Sequence, residues 1–126
     1  MKIQYCSDLH LEFPENKKFI LENPIIPVGD ILILAGDIVP FALMDLHEDF
    51  FDYVSKNFKF TFWIPGNHEY YYYERTDKFG TIDIKIRDNV FLVNNPVKEI
   101  ENVKLIATTL WSAIPPDKQW LVQNSL

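Results

Sequence analysis

The sequence has one cysteine, three histidines and no long apolar run. Cys6 is the only cysteine among 126 residues, so no intrachain disulfide framework holds the fold. No apolar run approaches the roughly 20 residues that a membrane-spanning helix needs. Residues 1–4 enter a predicted strand directly, without a charged-then-apolar leader. We therefore expect a cytoplasmic protein that makes no membrane contact.

Basic residues are also scarce. Twelve Lys and Arg residues against eighteen Asp and Glu residues give a formal net charge of −6. This balance argues against a protein that grips nucleic-acid phosphates through a basic stripe. Nucleic acid stays open as a substrate, because bound divalent cations would make a site electropositive. An apolar content of 48% excludes a disordered tail and favours one domain, residues 1–126, with a dense core.

Strand-like runs alternate with helical or loop segments along the chain. Apolar runs predict buried strands at residues 2–6, 31–35, 60–64 and 90–93, and a hairpin over 97–107. Helices are predicted over residues 15–22 and from about 44 to 55. This alternation is typical of an α/β fold with a mostly parallel central sheet.

Polar motifs follow three of these runs directly. They are Asp8-Leu9-His10, Gly36-Asp37 and Gly66-Asn67-His68-Glu69. The carboxyl ends of parallel strands meet at one edge of a sheet, so we expect these side chains to converge there. Carboxylates, imidazoles and carboxamides are donors that Mn, Fe or Zn accept. The pattern predicts a metal centre.

The three motifs, in this order, resemble those of the calcineurin-like metallophosphoesterase family. The resemblance implies that two divalent ions (Mn, Fe or Zn) act on a phosphoester substrate. It also implies that Asp8 and His10 bind the first metal, that Asp37 bridges both, and that Asn67 binds the second. His68 would be the catalytic residue, approaching the substrate phosphate rather than a metal.

The chain departs from the family pattern in two places. The family continues with a further His and a Gly-His-x-His block, whereas this chain has no histidine after His68. We therefore interpret it as a C-terminally truncated domain, half of a helix-flanked two-sheet sandwich, with one ion or none bound. Within the matched region, Pro40 stands where many members carry a second Asp that is oriented toward the catalytic His. The group that orients His68 is not identified by the sequence.

Three interpretations stay open for the chain as a whole. The first, which we favour, is a fragment of a normal hydrolase. The second is an enzyme in its own right, and the third is a non-catalytic scaffold that uses the fold for protein contacts. Substrates range over phosphomonoesters, phosphodiesters such as cyclic nucleotides, and nucleic acid. Because the predicted strands are apolar on both faces, we expect self-association through an exposed sheet.

The remaining candidates near the motifs are expected to play no catalytic part. Glu12 is predicted to lie on the surface, and His47 to be exposed on a charged helix. Tyr70 to Tyr73 are predicted to pack the loop after Glu69 rather than to form a stacking wall for a base.

Overall fold

The computed structural model describes residues 1–72 and 80–123. Five strands form the main sheet: β1 (Ile3–Cys6), β2 (Ile31–Ala35), β3 (Phe60–Ile64), β4 (Ile82–Arg87) and β5 (Val90–Asn94). Two more form a small antiparallel sheet: β6 (Val97–Ile100) and β7 (Val103–Ile106). The α-helices are α1 (Pro14–Glu22), α2 (Glu48–Asn57) and α3 (Gln119–Gln123). Short 3-10 helices span Phe41–His47, His68–Tyr70 and Pro116–Lys118.

The main sheet has the order β1-β2-β3-β5-β4 and is parallel except at β4, which pairs antiparallel with β5. This confirms the predicted α/β class with a mostly parallel sheet. Because β1, β2 and β3 are adjacent and parallel, their carboxyl ends deliver three consecutive loops to one edge. That arrangement positions all three sequence motifs side by side.

Alternating side chains of the strands face two separate cores. Leu32 and Leu34 of β2 join Trp63 in the cluster that packs against α1 and α2. Ile31 and Ile33 lie in a second cluster on the opposite face, which Ile100 and Leu105 of the small hairpin help to cover. Strands that are apolar on both faces are expected in a sheet buried on both sides. Self-association through this sheet stays a prediction.

The structure differs from the predictions at two elements. The helix predicted from about 44 to 55 is a 3-10 helix over Phe41–His47 followed by α2, whose first turn carries the favourable acidic residues Glu48 and Asp49. The sequence reading also missed β4, although its isoleucines alternate with charged residues as in a half-covered strand. The helix predicted over 15–22 is confirmed, and it begins one residue earlier at Pro14, a favourable first position.

Among the described residues, none of the helices combines the length and apolar character that crossing a membrane requires.

The prediction that His47 is exposed is wrong. Its side chain is 4% exposed, beside a cavity of about 170 Å³ between α1 and α2. Loss of hydration lowers the pKa of His47, and the charge of Lys17 acts in the same direction, whereas Asp49 and Glu12 oppose it. His47 was expected to be exposed because it lies within a charged helix, but it is the last residue of the 3-10 helix and its side chain is buried.

This burial predicts a pH dependence of stability. Below the ordinary His pKa of 6.5 the unfolded chain takes up a proton at His47 that the folded chain resists, so stability falls as pH falls through that region. His47→Phe removes this contribution. We expect the urea midpoint of the wild type to drop more between pH 7.5 and 5.5 than that of His47→Phe. The other two histidines are present in both proteins, and equal drops would contradict the account.

Candidate metal centre

Backbone hydrogen bonds join the loops after β1 and β2. The N–H groups of Asp8, His10 and Leu11 donate to the carbonyl oxygens of Gly36, Asp37 and Ile38, at 3.0, 3.0 and 2.8 Å. The first two motifs therefore run alongside each other rather than merely ending at the same edge. Their side chains are fixed relative to one another by the main chain.

Three of the predicted ligands have left-handed backbone conformations. Asp8, His10 and Asp37 have φ of 59°, 46° and 55°, and Gly36 between the strand and Asp37 has φ of 90°. Left-handed conformations are uncommon outside glycine and concentrate at functional sites, where the surrounding structure imposes them. The interlocked loops are what impose them here.

The side chains of these three residues converge. Nε2 of His10 lies 3.8 Å from Oδ1 of Asp8 and 4.0 Å from Oδ2 of Asp37. One donor atom from each residue lies within 4.8 Å of the other two. Two carboxylates and an imidazole nitrogen suit a divalent transition metal, and the remaining positions of such an ion stay open to water or substrate.

A buried carboxylate that sequence reasoning assigned no role holds the third loop in place. The side chain of Glu69 is 0% exposed. Its Oε2 accepts from the N–H of Asp37 at 3.0 Å and of Gly66 at 2.8 Å, and its Oε1 from Ile38 N–H at 2.8 Å and Trp63 Nε1–H at 3.0 Å. Burial raises the pKa of the Glu69 carboxyl, and the four donated hydrogen bonds oppose that rise. Glu69 thus fastens the Gly-Asp loop to the loop after β3.

Gly66 is required by a close approach. A Cβ at this position would lie 2.3 Å from Oδ1 of Asp37 and 2.8 Å from its backbone nitrogen. The missing side chain lets the third loop lie against Asp37, whose Oδ1 accepts the N–H of His68 at 3.0 Å. Asp37 is therefore held from the third loop through one oxygen while its other oxygen faces His10.

His68 and Asn67 lie next to this cluster. The ring of His68 is 4.4 Å from that of His10, centroid to centroid, and 4.3 Å from that of Tyr71. The amide nitrogen of Asn67 donates to Tyr71 Oη at 2.9 Å, a contact that does not use the carboxamide oxygen a metal would take. The ring of Tyr70 meets Phe41 edge-on, as predicted for packing, whereas Tyr71 and Tyr72 are exposed and Tyr73 lies outside the described residues.

The prediction that Glu12 lies on the surface is wrong. Its side chain is 1% exposed, and Oε1 lies 3.1 Å from Nδ1 of His10 and 3.2 Å from Nδ1 of His68. These three residues form a second group of possible metal ligands in the described part of the chain. The spacing Asp-x-His-x-Glu was the only available signal, and it does not reveal that a residue 56 positions away closes over the carboxylate.

Comparison with known proteins identifies the class. The family model for calcineurin-like phosphoesterases matches residues 1–122, and the chain belongs to that family. It is similar to the uncharacterized protein L509 of Acanthamoeba polyphaga mimivirus, with 29% identity over 144 aligned positions that cover 98% of this chain and 49% of the relative. The chain spans about half the length of this curated relative. No solved structure matches it. Family members typically bind divalent metals, and candidate ligands for one are present.

Replacing one carboxylate oxygen of Glu69 tests whether this side chain holds the loops together. Glu69→Gln replaces one acceptor oxygen by an NH₂ group facing two N–H donors, so two buried hydrogen bonds are lost. We expect the free energy of unfolding to fall by about 3 kcal/mol, measured by urea denaturation. Glu99→Gln, at an exposed position, is the matched control. A loss no larger than that of the control would show that Glu69 does not hold these loops.

Proposed function

We propose that this protein is a metal-dependent phosphoester hydrolase. The observation that carries the proposal is the convergence of Asp8, His10 and Asp37 from two loops, with His68 beside them. Family membership supplies the reaction class. The substrate class stays open among phosphomonoesters, phosphodiesters and nucleic acid.

The donor set fits a divalent ion held by Asp8, His10 and Asp37, with Mn, Fe or Zn as candidates. Such an ion supplies Lewis acidity and positive charge for the phosphoryl oxygens. Asp37 uses one oxygen toward His10 and one toward the loop of His68, so it can serve two positions. Asn67 offers a neutral oxygen for a second ion without adding negative charge.

His68 is assigned to the substrate rather than to the metal. Its backbone N–H is tied to Asp37 and its ring lies against that of His10, so it borders the proposed metal position. An imidazolium there can donate to a phosphoryl oxygen or protonate the leaving oxygen, because both of its ring nitrogens carry protons. Tyr71, which lies on the ring of His68, limits the directions in which that ring can turn.

The second candidate function is a non-catalytic scaffold. The small number of ligands for the second ion favours it, because only Asp37 and Asn67 are assigned to that ion. Metal content and turnover distinguish the two functions.

Two substitutions separate metal binding from chemistry. Asp37→Asn removes the shared carboxylate, so we expect Mn²⁺ binding measured by calorimetry to weaken by at least tenfold. His68→Ala leaves Mn²⁺ affinity within about threefold and lowers hydrolysis of p-nitrophenyl phosphate or bis(p-nitrophenyl) phosphate by about 10²-fold or more.

Asp45→Asn, at an exposed acidic position, is the control for both measurements. If His68→Ala lost Mn²⁺ as severely as Asp37→Asn, the assigned roles would be wrong. Mn²⁺ binding by the wild type without hydrolysis of either ester would favour the scaffold.

A further inference from the structure

The carboxylate of Glu12 is buried between two histidines of the candidate site. Only 1% of its side chain is exposed, so it is not a surface group. Oε1 is within hydrogen-bond distance of Nδ1 of both rings. Oε2 is buried without a hydrogen-bond partner among the described residues. A buried carboxylate oxygen without a partner is unfavourable, so packing alone does not explain this placement.

The two contacts bear on where the rings carry their protons. A carboxylate oxygen accepts hydrogen bonds, so both short contacts are satisfied when each ring donates from Nδ1. In a neutral ring Nε2 is then an unprotonated nitrogen. For His10 this is the atom that faces Asp8 and Asp37. A carboxylate behind a ligating histidine orients the ring and fixes its tautomer.

We infer that Glu12 is a positioning residue that sets the tautomer and orientation of both His10 and His68. The importance of this role for catalysis rests on the proposed function, in which His10 binds the metal and His68 faces the substrate phosphate. One carboxylate would then orient both imidazoles. Glu12 also gives His68 an orienting group. Pro40 occupies the position at which many family members carry a second Asp. Glu12 reaches His68 from the loop after β1 rather than from the loop after β2.

The anchoring of Glu12 supports this role. The backbone just before it is held, because Leu11 N–H donates to the carbonyl oxygen of Ile38 and Asn16 Nδ2 donates to the carbonyl oxygen of His10 at 3.2 Å. This anchoring limits how far the carboxylate can move with the two rings.

The rival explanation is a cation held by Nδ1 of His10, Oε1 of Glu12 and Nδ1 of His68. Oε1 of Glu12 lies 3.1 Å from Nδ1 of His10 and 3.2 Å from Nδ1 of His68, and one donor atom from each residue lies within 4.8 Å of the other two. In that case the two Nδ1 atoms would carry no proton when the ion is bound. The two explanations therefore predict opposite states of the same atoms.

Long-range ¹H–¹⁵N correlation of the imidazole nitrogens tests the inference on the full chain after chelator treatment. We expect His10 and His68 to show the Nδ1–H tautomer, whereas free imidazole side chains favour Nε2–H. Adding Zn²⁺ should change the Nε2 signal of His10 and leave both Nδ1–H groups in place. An Nε2–H tautomer at His68, or Zn²⁺ replacing the Nδ1 protons of both rings, would overturn the inference.

Variants of Glu12 provide a second readout. Glu12→Leu removes the acceptor, so His68 should revert to Nε2–H, whereas Glu12→Gln keeps a carbonyl oxygen and should retain Nδ1–H in part. Glu15→Gln, an exposed carboxyl in α1, is the control and should change neither ring. The wild-type tautomers and Glu12→Gln test the idea even if Glu12→Leu does not fold. An unchanged His68 tautomer in folded Glu12→Leu would contradict it.

Kinetics separate this inference from the proposed function. In an active protein, Glu12→Gln should lower kcat by about 10–100-fold with little change in KM. In the His68→Ala background it should lower kcat much less. Additive losses in the double variant would count against positioning of His68. If the tautomers behave as expected but no phosphoester is hydrolysed, the positioning role stands and the proposed function fails.

Discussion

The four hydrogen bonds received by the Glu69 carboxylate are the constraint on which the site depends. They join N–H groups from β3, from the loop after β3 and from the Gly-Asp loop at one buried anion. A buried carboxylate is tolerable because each oxygen is satisfied twice. Since the Gly-Asp loop is also bonded to the loop after β1, one side chain fixes the relative positions of all three motifs.

Preorganisation explains why the candidate ligands occupy strained conformations. Asp8, His10 and Asp37 are left-handed, a conformation that a loosely held loop would relax. Rigid neighbours hold them there: the paired loops, the close contact of Gly66 with Asp37, and the Glu12 carboxylate behind His10 and His68. Ligands held in advance lose less conformational freedom when an ion binds. The residues with left-handed backbone conformations and the contacts that hold them therefore lie at the same edge of the sheet.

Much of the fold was predictable because strands and turns leave local signals. Residues 31–35 and 60–64 are strands as predicted, and the polar motifs after them meet as parallel topology requires. The alternating isoleucines of β4 carried a signal that was overlooked. Glu12 and His47 were different, because their burial depends on residues far away in sequence or on a 3-10 turn that the helical period does not describe. No local pattern distinguishes a carboxylate that is buried at this edge of the sheet from a solvated one.

The central claim is that three loops preassemble one cation site, and paramagnetic relaxation tests it most directly. Mn²⁺ titrated into ¹⁵N-labelled protein broadens amide signals near the bound ion. The account predicts that the amides of residues 8–10, 37–38 and 66–68 are lost first and together, at substoichiometric Mn²⁺. First loss of signals from the acidic first turn of α2, or from only one of the three loops, would contradict it.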